Sequence, residues 1–546
     1  MKKSVLAISV VAALAVVWAG GTWYTGKNLQ QQYAEKIADL NKTLAQYLPP
    51  VDGNGLKVEN VSYQRGFFSS KIVDKLVLQD HDQPIELVFE SAVQHGPLPL
   101  ARLAKFELKP VVVSGNAKLV NNSSVAAWFK ATKEQAPFST DFTLDYSEKV
   151  VARSRFAALQ WAESNLEFKM SDLVIDSDTD LNAIGNIKLN LDQLSFSEQA
   201  AETAQNSTAL HINGIKMESR QQQAKGFENL ATGSSRLTVN DILFDQQPGE
   251  QSDDSPLKLQ ISDTSIDSEV QLHDGFIDIS SKNLLGKLLI NENHFGQFQF
   301  DLGIRHLDGK SLNDLVELLK NMPSDGEFTP EQDEQGKQLL QTLMANHPQL
   351  QFLPLAWRNE GGTSQLNLDI GFNNSDQVGE NMLSLFSKFE LSGEVNKQML
   401  RSLITAVVEM NNPDMTDQGL AQTIDDSYQA ASADLLVDGT FIDTPEAFTA
   451  NLILENGVLK HNGEVVAEEK LNEFVMSMVM AAAFYNMSDD DHQYNQDDEQ
   501  WGEDGEVYPD DQLDDSFSPA DDGYDLAIPD LSPSDLEGLP EAVPQQ

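Results

Sequence analysis

Cysteine is absent from the 546 residues, which excludes disulfide scaffolds and thiolate metal sites. Cations are scarce: 37 Lys and Arg stand against 85 Asp and Glu, a formal net charge of −48. That balance argues against nucleic acid as a partner, because phosphate binding needs clustered cations. It argues equally against broad electrostatic attachment to anionic lipid. The deficit is uneven, since Ser488–Gln546 carries 20 acidic residues and no lysine or arginine. Catalytic motifs are missing too. The nine histidines are scattered, and neither a nucleophile elbow, a phosphate-cradling loop nor a dinucleotide fingerprint occurs. Asp176-Ser177-Asp178-Thr179-Asp180 opens like a calcium loop, but Leu181 and Ile187 stand where glycine and glutamate belong. It is read as an acidic turn between strands. No catalytic, metal or cofactor-binding residue is therefore assigned, and the chain is read as non-enzymatic.

Long apolar runs are missing except for one. After Lys2 and Lys3, Ser4–Tyr24 carries no charge and no proline. A helix of that length spans about 31 Å, the thickness of a hydrocarbon core. Trp18, Trp23 and Tyr24 stand toward its far end, where amphipathic rings favour the headgroup layer. The leading lysines hold the amino end in the cytoplasm and send the remainder across the membrane. The expectation is an uncleaved signal anchor over residues 1–26, with the bulk of the chain in the periplasm. A cleaved signal peptide is the competing reading; Ala19, Gly20 and Gly21 offer it only a weak site. Phe474–Tyr485, the next apolar run, is too short to span.

Residues 27–50 form an amphipathic linker helix, with Leu29, Tyr33, Ile37, Leu40, Leu44 and Leu48 in one stripe. Docking on its own domain is the favoured role, and a short self-pairing stalk is the other. Over residues 51–310 the apolar period becomes two, as in Leu166-Glu167-Phe168-Lys169-Met170 and Leu257-Lys258-Leu259-Gln260-Ile261. This predicts a long antiparallel system with one apolar and one wet face, turning at places such as Asp274-Gly275. Residues 311–487 mix helices and strands, with Ser311 expected as an N-cap, Pro330 in a first turn and a hairpin at Asn456-Gly457. Residues 488–546 cannot bury enough surface to offset ordering and are read as a disordered acidic tail. The fold class is thus α+β, mainly antiparallel β: a transmembrane helix, an extended curved sheet body, and helices toward the carboxyl half.

Two clusters are more particular than ordinary loops: Ser62-Tyr63-Gln64-Arg65-Gly66-Phe67-Phe68-Ser69-Ser70 and His95-Gly96-Pro97-Leu98-Pro99-Leu100. Tyr63, Arg65, Gly66, His95, Gly96 and Pro97 are the candidate interaction or structural residues. Tight turns whose Arg65 or His95 satisfies buried carbonyls are the plain reading, and a binding role is the other. With Val16–Lys27, Pro354–Asn359 and Ala450–Gly463, these clusters resemble the YdgA-like bacterial proteins. The acidic tail departs from that family's short ending. The resemblance implies an inner-membrane protein with a periplasmic body of unknown biochemical function, able to self-associate, and carries over no catalytic residue. The last hairpin also faintly resembles AsmA-like proteins, β-rich envelope factors linked to lipid transport.

Three functions follow as expectations. The first is an anchored envelope scaffold that offers a surface to a protein partner or forms a homodimer. The second is a lipid-handling protein with an apolar groove in its sheet, and the third is an envelope hydrolase. A scaffold needs a packed interior, a carrier needs an apolar face left uncovered by its own side chains, and a hydrolase needs convergent His, Ser and acid groups.

Overall fold

The computed structural model describes residues 26–42, 44–45, 55–78, 84–199, 206–249, 255–322, 328–374, 382–413 and 415–466. The expected anchor over Ser4–Tyr24, the apolar run Phe474–Tyr485 and the acidic tail lie outside them. No helix among the described residues is long and apolar enough to cross a membrane.

Twenty-two strands among the described residues pair into one open antiparallel sheet. The first half holds β1 (Leu56–Arg65), β2 (Ser69–Leu78), β3 (Ile85–His95), β4 (Val111–Val120), β5 (Phe138–Asp145), β6 (Val150–Phe156), β7 (Leu159–Glu163), β8 (Leu166–Met170) and β9 (Leu173–Thr179). Five long strands follow in the middle: β10 (Gly185–Glu198), β11 (Ser207–Gln223), β12 (Ala231–Gln247), β13 (Leu257–His273) and β14 (Phe276–Ile290). β15 (Asn293–Asp308), β16 (Gln349–Asn359), β17 (Gly362–Phe372), β18 (Phe386–Asn396), β19 (Ile442–Asp443), β20 (Ala447–Glu455), β21 (Val458–His461) and β22 (Glu464–Val465) complete it. Sequence neighbours pair along most of the chain. The exceptions are β6, which pairs with β9, β18, which pairs with β20, and β10, which pairs with β9 along one half and with β8 along the other. The sheet continues past residue 310 without a break, because β15 pairs with β16.

The turns follow from their residues. Asp274 and Gly275 both take positive φ, 49° and 91°, as do Asn456 and Gly457 at 53° and 77°, the geometry that matches strand twist in a two-residue hairpin. Seven helices among the described residues decorate the sheet. They are α1 over residues 26–42, α2 (Leu100–Leu103), α3 (Ala126–Ala131), α4 (Gly309–Lys320), α5 (Pro330–Ala345), α6 (Lys397–Asn411) and α7 (Asp417–Leu436). α5 starts with Pro330 behind a complete Thr329–Gln332 capping box. α4 corrects the sequence reading: its cap is Asp308, whose carboxylate accepts from Ser311 N at 2.8 Å and Ser311 Oγ at 2.6 Å. Ser311 satisfies the cap rather than being it. The supposed acidic turn is corrected as well. Asp176–Thr179 belong to β9, and only Asp180 turns, accepting from the Asn182 and Ile184 amides at 2.9 Å. α2 and α3, too short to leave a helical period, were not legible.

Buried residues gather in four separate clusters, each under a helix or a loop and not in one common core. Ile72, Val93 and Val113 lie beneath Leu29 and Tyr33 of α1. Leu119, Val125 and Phe129 gather at α3. Ala224, Leu230 and Ile277 pack with Leu312 and Val316 of α4. Ile370, Leu383, Phe389 and Leu459 close the carboxyl end.

Candidate functional site

The six motif residues meet at one end of β1–β3. Gly66 N donates to Ser69 O at 2.7 Å and closes the β1–β2 hairpin, and His95 N donates to Phe68 O at 3.0 Å. Beyond β3 the chain folds back through a cis Gly96–Pro97 peptide. Gly96 N bonds Val112 O and Val111 N bonds Pro97 O, each at 2.8 Å. A side chain at Gly96 would put its Cβ 1.6 Å from Val111 O, so only glycine fits.

His95 is 1% exposed, and its Nε2 lies 2.8 Å from Ser70 Oγ. Gly26, where α1 begins, presses on the imidazole so closely that a Cβ there would stand 2.3 Å from Nδ1. Nδ1 itself has no hydrogen-bond partner. Burial pushes the imidazole pKa below its ordinary value; the Phe67 carbonyl opposes the shift and the Arg65 charge adds to it. Burial pushes the Tyr63 phenol up. Tyr63 meets Tyr33 of α1 edge to face at 5.3 Å, and Tyr33 Oη donates to Asp74 Oδ2 at 2.5 Å. One turn pair further along α1, Asn41 brackets Val58, donating to its carbonyl at 2.8 Å and accepting from its amide at 2.6 Å. That bond pair caps the open edge of β1 as another strand would. The two motifs therefore build the seat of α1. Ser70 and His95 make a hydroxyl–imidazole pair, but no acid orients Nδ1 as a nucleophilic triad requires. Among the described residues no group of three or more His, Asp and Glu could hold a metal ion.

The two faces of the long strands differ in kind. On one, a single row crosses eight strands in register: Asp141, Arg153, Asp176, Lys188, Glu218, Arg236, Asp267 and Lys282. The charges alternate without exception. Arg153–Asp176 at 3.4 Å and Lys188–Glu218 at 3.3 Å are ion pairs, and Arg236 Nε binds Asp267 Oδ1. A groove of about 940 Å³ runs over this face, with Arg102 and Lys105 on its rim and Arg153, Lys188, Asp178 and Arg220 in its floor.

The other face is apolar. Ile175, Leu189, Met217, Leu237 and Ile266 form one row across β9–β13. Two residues along each strand a second row begins at Phe138 and continues through Phe156, Leu173, Leu191 and Ile215, with Val239 and Thr264 beyond. Two further rows are Met170, Leu194, Ile212, Ile242, Ile261, Leu288 and Phe168, Phe196, Leu210, Phe244, Leu259, Ile290. Between the second and third rows the pairing skips a residue on each strand, and Gly214 and Asp263 take positive φ there, 68° and 63°. Residues outside the β region break the two-residue alternation. The apolar positions accordingly stand three apart across the interruption, as in Leu191/Leu194, Ile212/Ile215 and Val239/Ile242.

In the first two rows only Leu191 is buried, at 7%, and Ile266 is 39% exposed; the rest are half-buried. The helices pack elsewhere, α4 and α5 on β15, α6 on β15–β18 and α3 on β7. Of these rows only Phe138, at the β5 end, joins a buried cluster, packing with Leu119, Val125 and Phe129; none of the four clusters draws on the rows within β9–β13. Sequence reasoning found the alternation but singled out neither face as a site. The signal was there in Leu, Ile and Met facing Lys, Glu and Arg on consecutive strands.

A sequence profile described as "Bacterial protein of unknown function (DUF945)" matches residues 1–469. The chain is 26% identical over 531 residues to Protein YdgA of Escherichia coli K12, covering 88% of this chain and 98% of that one. It is also 26% identical over 322 residues to an uncharacterized protein of Haemophilus influenzae, covering 58% of this chain and 86% of that one. The chain belongs to this family of bacterial proteins of unknown function.

Proposed function

We propose that this family member is a membrane-tethered envelope protein without catalytic chemistry of its own, which holds lipid acyl chains against the apolar face of its sheet. It sits in the inner membrane through residues 4–24, with its body in the periplasm. The observation that carries the reading is the apolar field on β9–β13. On these strands several in-register rows of Leu, Ile, Val and Met are half-buried, with Ile266 exposed and Leu191 alone buried in the first two, and no buried cluster forms over them. Contiguous apolar surface on that scale marks an interaction face. Protein interfaces also need about one hydrogen bond per 100–200 Å², and the backbone of this face is spent on its own ladders. Hydrocarbon asks for no such partner, which favours acyl chains over a second protein.

A photo-crosslinking residue at Met217 should capture phospholipid in living cells. The same residue at Glu218, one position along on the charged face, should not. A protein adduct at Met217 of twice the chain's mass would instead support the scaffold reading. Spheroplasts should expose the body to added protease; a body protected there and digested only after lysis would remove the periplasmic assignment.

A further inference from the structure

A tether at residues 4–24 brings one end of the sheet to the membrane. Tyr24 closes the expected span and Gly26 lies two residues on, a reach of at most about 7 Å. The headgroup layer outside the hydrocarbon is about 5–7 Å deep on each side. Gly26 abuts the His95 ring, and His95 N bonds Phe68 O at the tip of the β1–β2 hairpin. The loop over residues 97–110 leaves and rejoins the sheet at this same end, between β3 and β4. Residues 66–68 and 97–110 therefore stand where the chain meets the bilayer.

Their chemistry suits that place. Phe67 is 49% exposed, Phe106 88% and Leu108 66%, and Phe68 and Leu100 are exposed as well. Phe106 is costly in its backbone too. Glu107 N donates to Arg102 O and Phe106 N to Leu103 O, each at 3.0 Å, the paired bonds that end a helix on a left-handed residue. Glycine ordinarily fills that position; here Phe106 takes φ 58°. In water a fold gains nothing from a phenylalanine both strained and bare, and such a residue points to a surface that covers it. Charge agrees. Residues 64–71 and 97–110 hold five Lys and Arg against one acid, Glu107, the reverse of the balance over the whole chain. Aromatic rings settle at the headgroup layer, and lysines there bury their stems while their ammonium groups stay among the phosphates. We propose, on the premise that residues 4–24 span the membrane, that this end of the sheet rests on the same bilayer. Phe67, Phe106 and Leu108 enter the headgroup layer, and Lys105 meets anionic headgroups.

Because the chain lacks cysteine, single cysteines can carry a nitrobenzoxadiazole label in the full-length protein. Phe67→Cys and Phe106→Cys report this end of the sheet. Leu78→Cys reports the exposed far end of β2, about 30 Å from Ser69 at the strand rise. The labelled chains are reconstituted into vesicles of phosphatidylethanolamine and phosphatidylglycerol, with iodide on both sides. Labels at 67 and 106 should emit to the blue, lose intensity to lipid carrying a nitroxide near its headgroup, and ignore iodide. The label at 78 should do the reverse. Labels at 67 and 106 quenched by iodide alone, in a chain that resists carbonate extraction, would overturn this inference and leave the tether standing. Labels beyond the reach of both quenchers would mean that a second copy of the chain covers this end, and would overturn it equally. Release of the chain by carbonate would end the tether and this inference with it.

Discussion

At the residue scale the seat of α1 makes its own demand on pH. His95 is held neutral by burial, so its folded pKa lies below the ordinary 6.5 that it regains on unfolding. Between the two values the unfolded chain binds more protons than the folded one, and stability rises with pH. The contribution of His95 is therefore complete above about pH 6.5 and is lost as pH falls through the folded value. The carboxylates held low by partners act further down. Glu59 beside Lys57, and Asp145 beside Lys109 and Ser147, both titrate below the ordinary carboxylate range and stay ionised throughout that window. Thermal midpoints measured from pH 7.5 to 5 should fall for the native chain and fall less for His95→Asn, whatever the variant costs at pH 7.5. Equal slopes would mean that His95 is not the group responsible. The seat was half legible in the sequence. Gly66, Gly96 and Pro97 announced turns by their backbone chemistry. The ring of His95, however, meets Gly26 from a distant part of the chain, and no local pattern carries such a contact.

At the scale of elements, strands here are registered by charge as well as by hydrophobic alternation. A one-residue slip of any strand would turn its apolar residues to the wet face. It would also break the alternating row from Asp141 to Lys282, placing charges opposite apolar neighbours. The row behaves differently from a set of separate ion pairs. Arg236 stands between Glu218 and Asp267, so Arg236→Glu puts three acids abreast, and like charges directly opposite are destabilising. Adding Asp267→Arg would repair an isolated pair. Here the introduced glutamate still faces Glu218, and the introduced arginine faces Lys282. The double variant should therefore recover little of the thermal midpoint lost by the single one. Full recovery would show that only the Arg236–Asp267 contact matters. Both faces of these strands were readable from period two, and the turns at Asp274-Gly275 and Asn456-Gly457 from residue type. The interruption through Gly214 and Asp263 was not. A left-handed aspartate inside a strand has no sequence signature distinct from an exposed polar position, and a strict two-residue reading places the two halves of β10–β13 on opposite sides.

At the scale of the whole molecule, the sheet body behaves as a line of strands each stabilised by its neighbours. Most pairings join strands adjacent in sequence, and the buried clusters at the two ends share no residue. Structures built this way gain stability as a sum of nearest-neighbour terms, so damage stays local. Ile370, 6% exposed in the carboxyl cluster, offers a direct test, since Ile→Ala in a packed core costs about 2–5 kcal/mol. Hydrogen exchange in Ile370→Ala should quicken through β16–β18 and β20 and stay at native rates in β2–β4, beneath α1. The middle strands, β10–β12, depend on ladders and on whatever covers their apolar face. They should exchange faster after lipid is stripped, with both ends unaffected. Faster exchange everywhere in Ile370→Ala would mean one cooperative unit. An open apolar face in mid-sheet would then be hard to sustain, because a body that unfolds as a whole gains most from a core closed along its whole length.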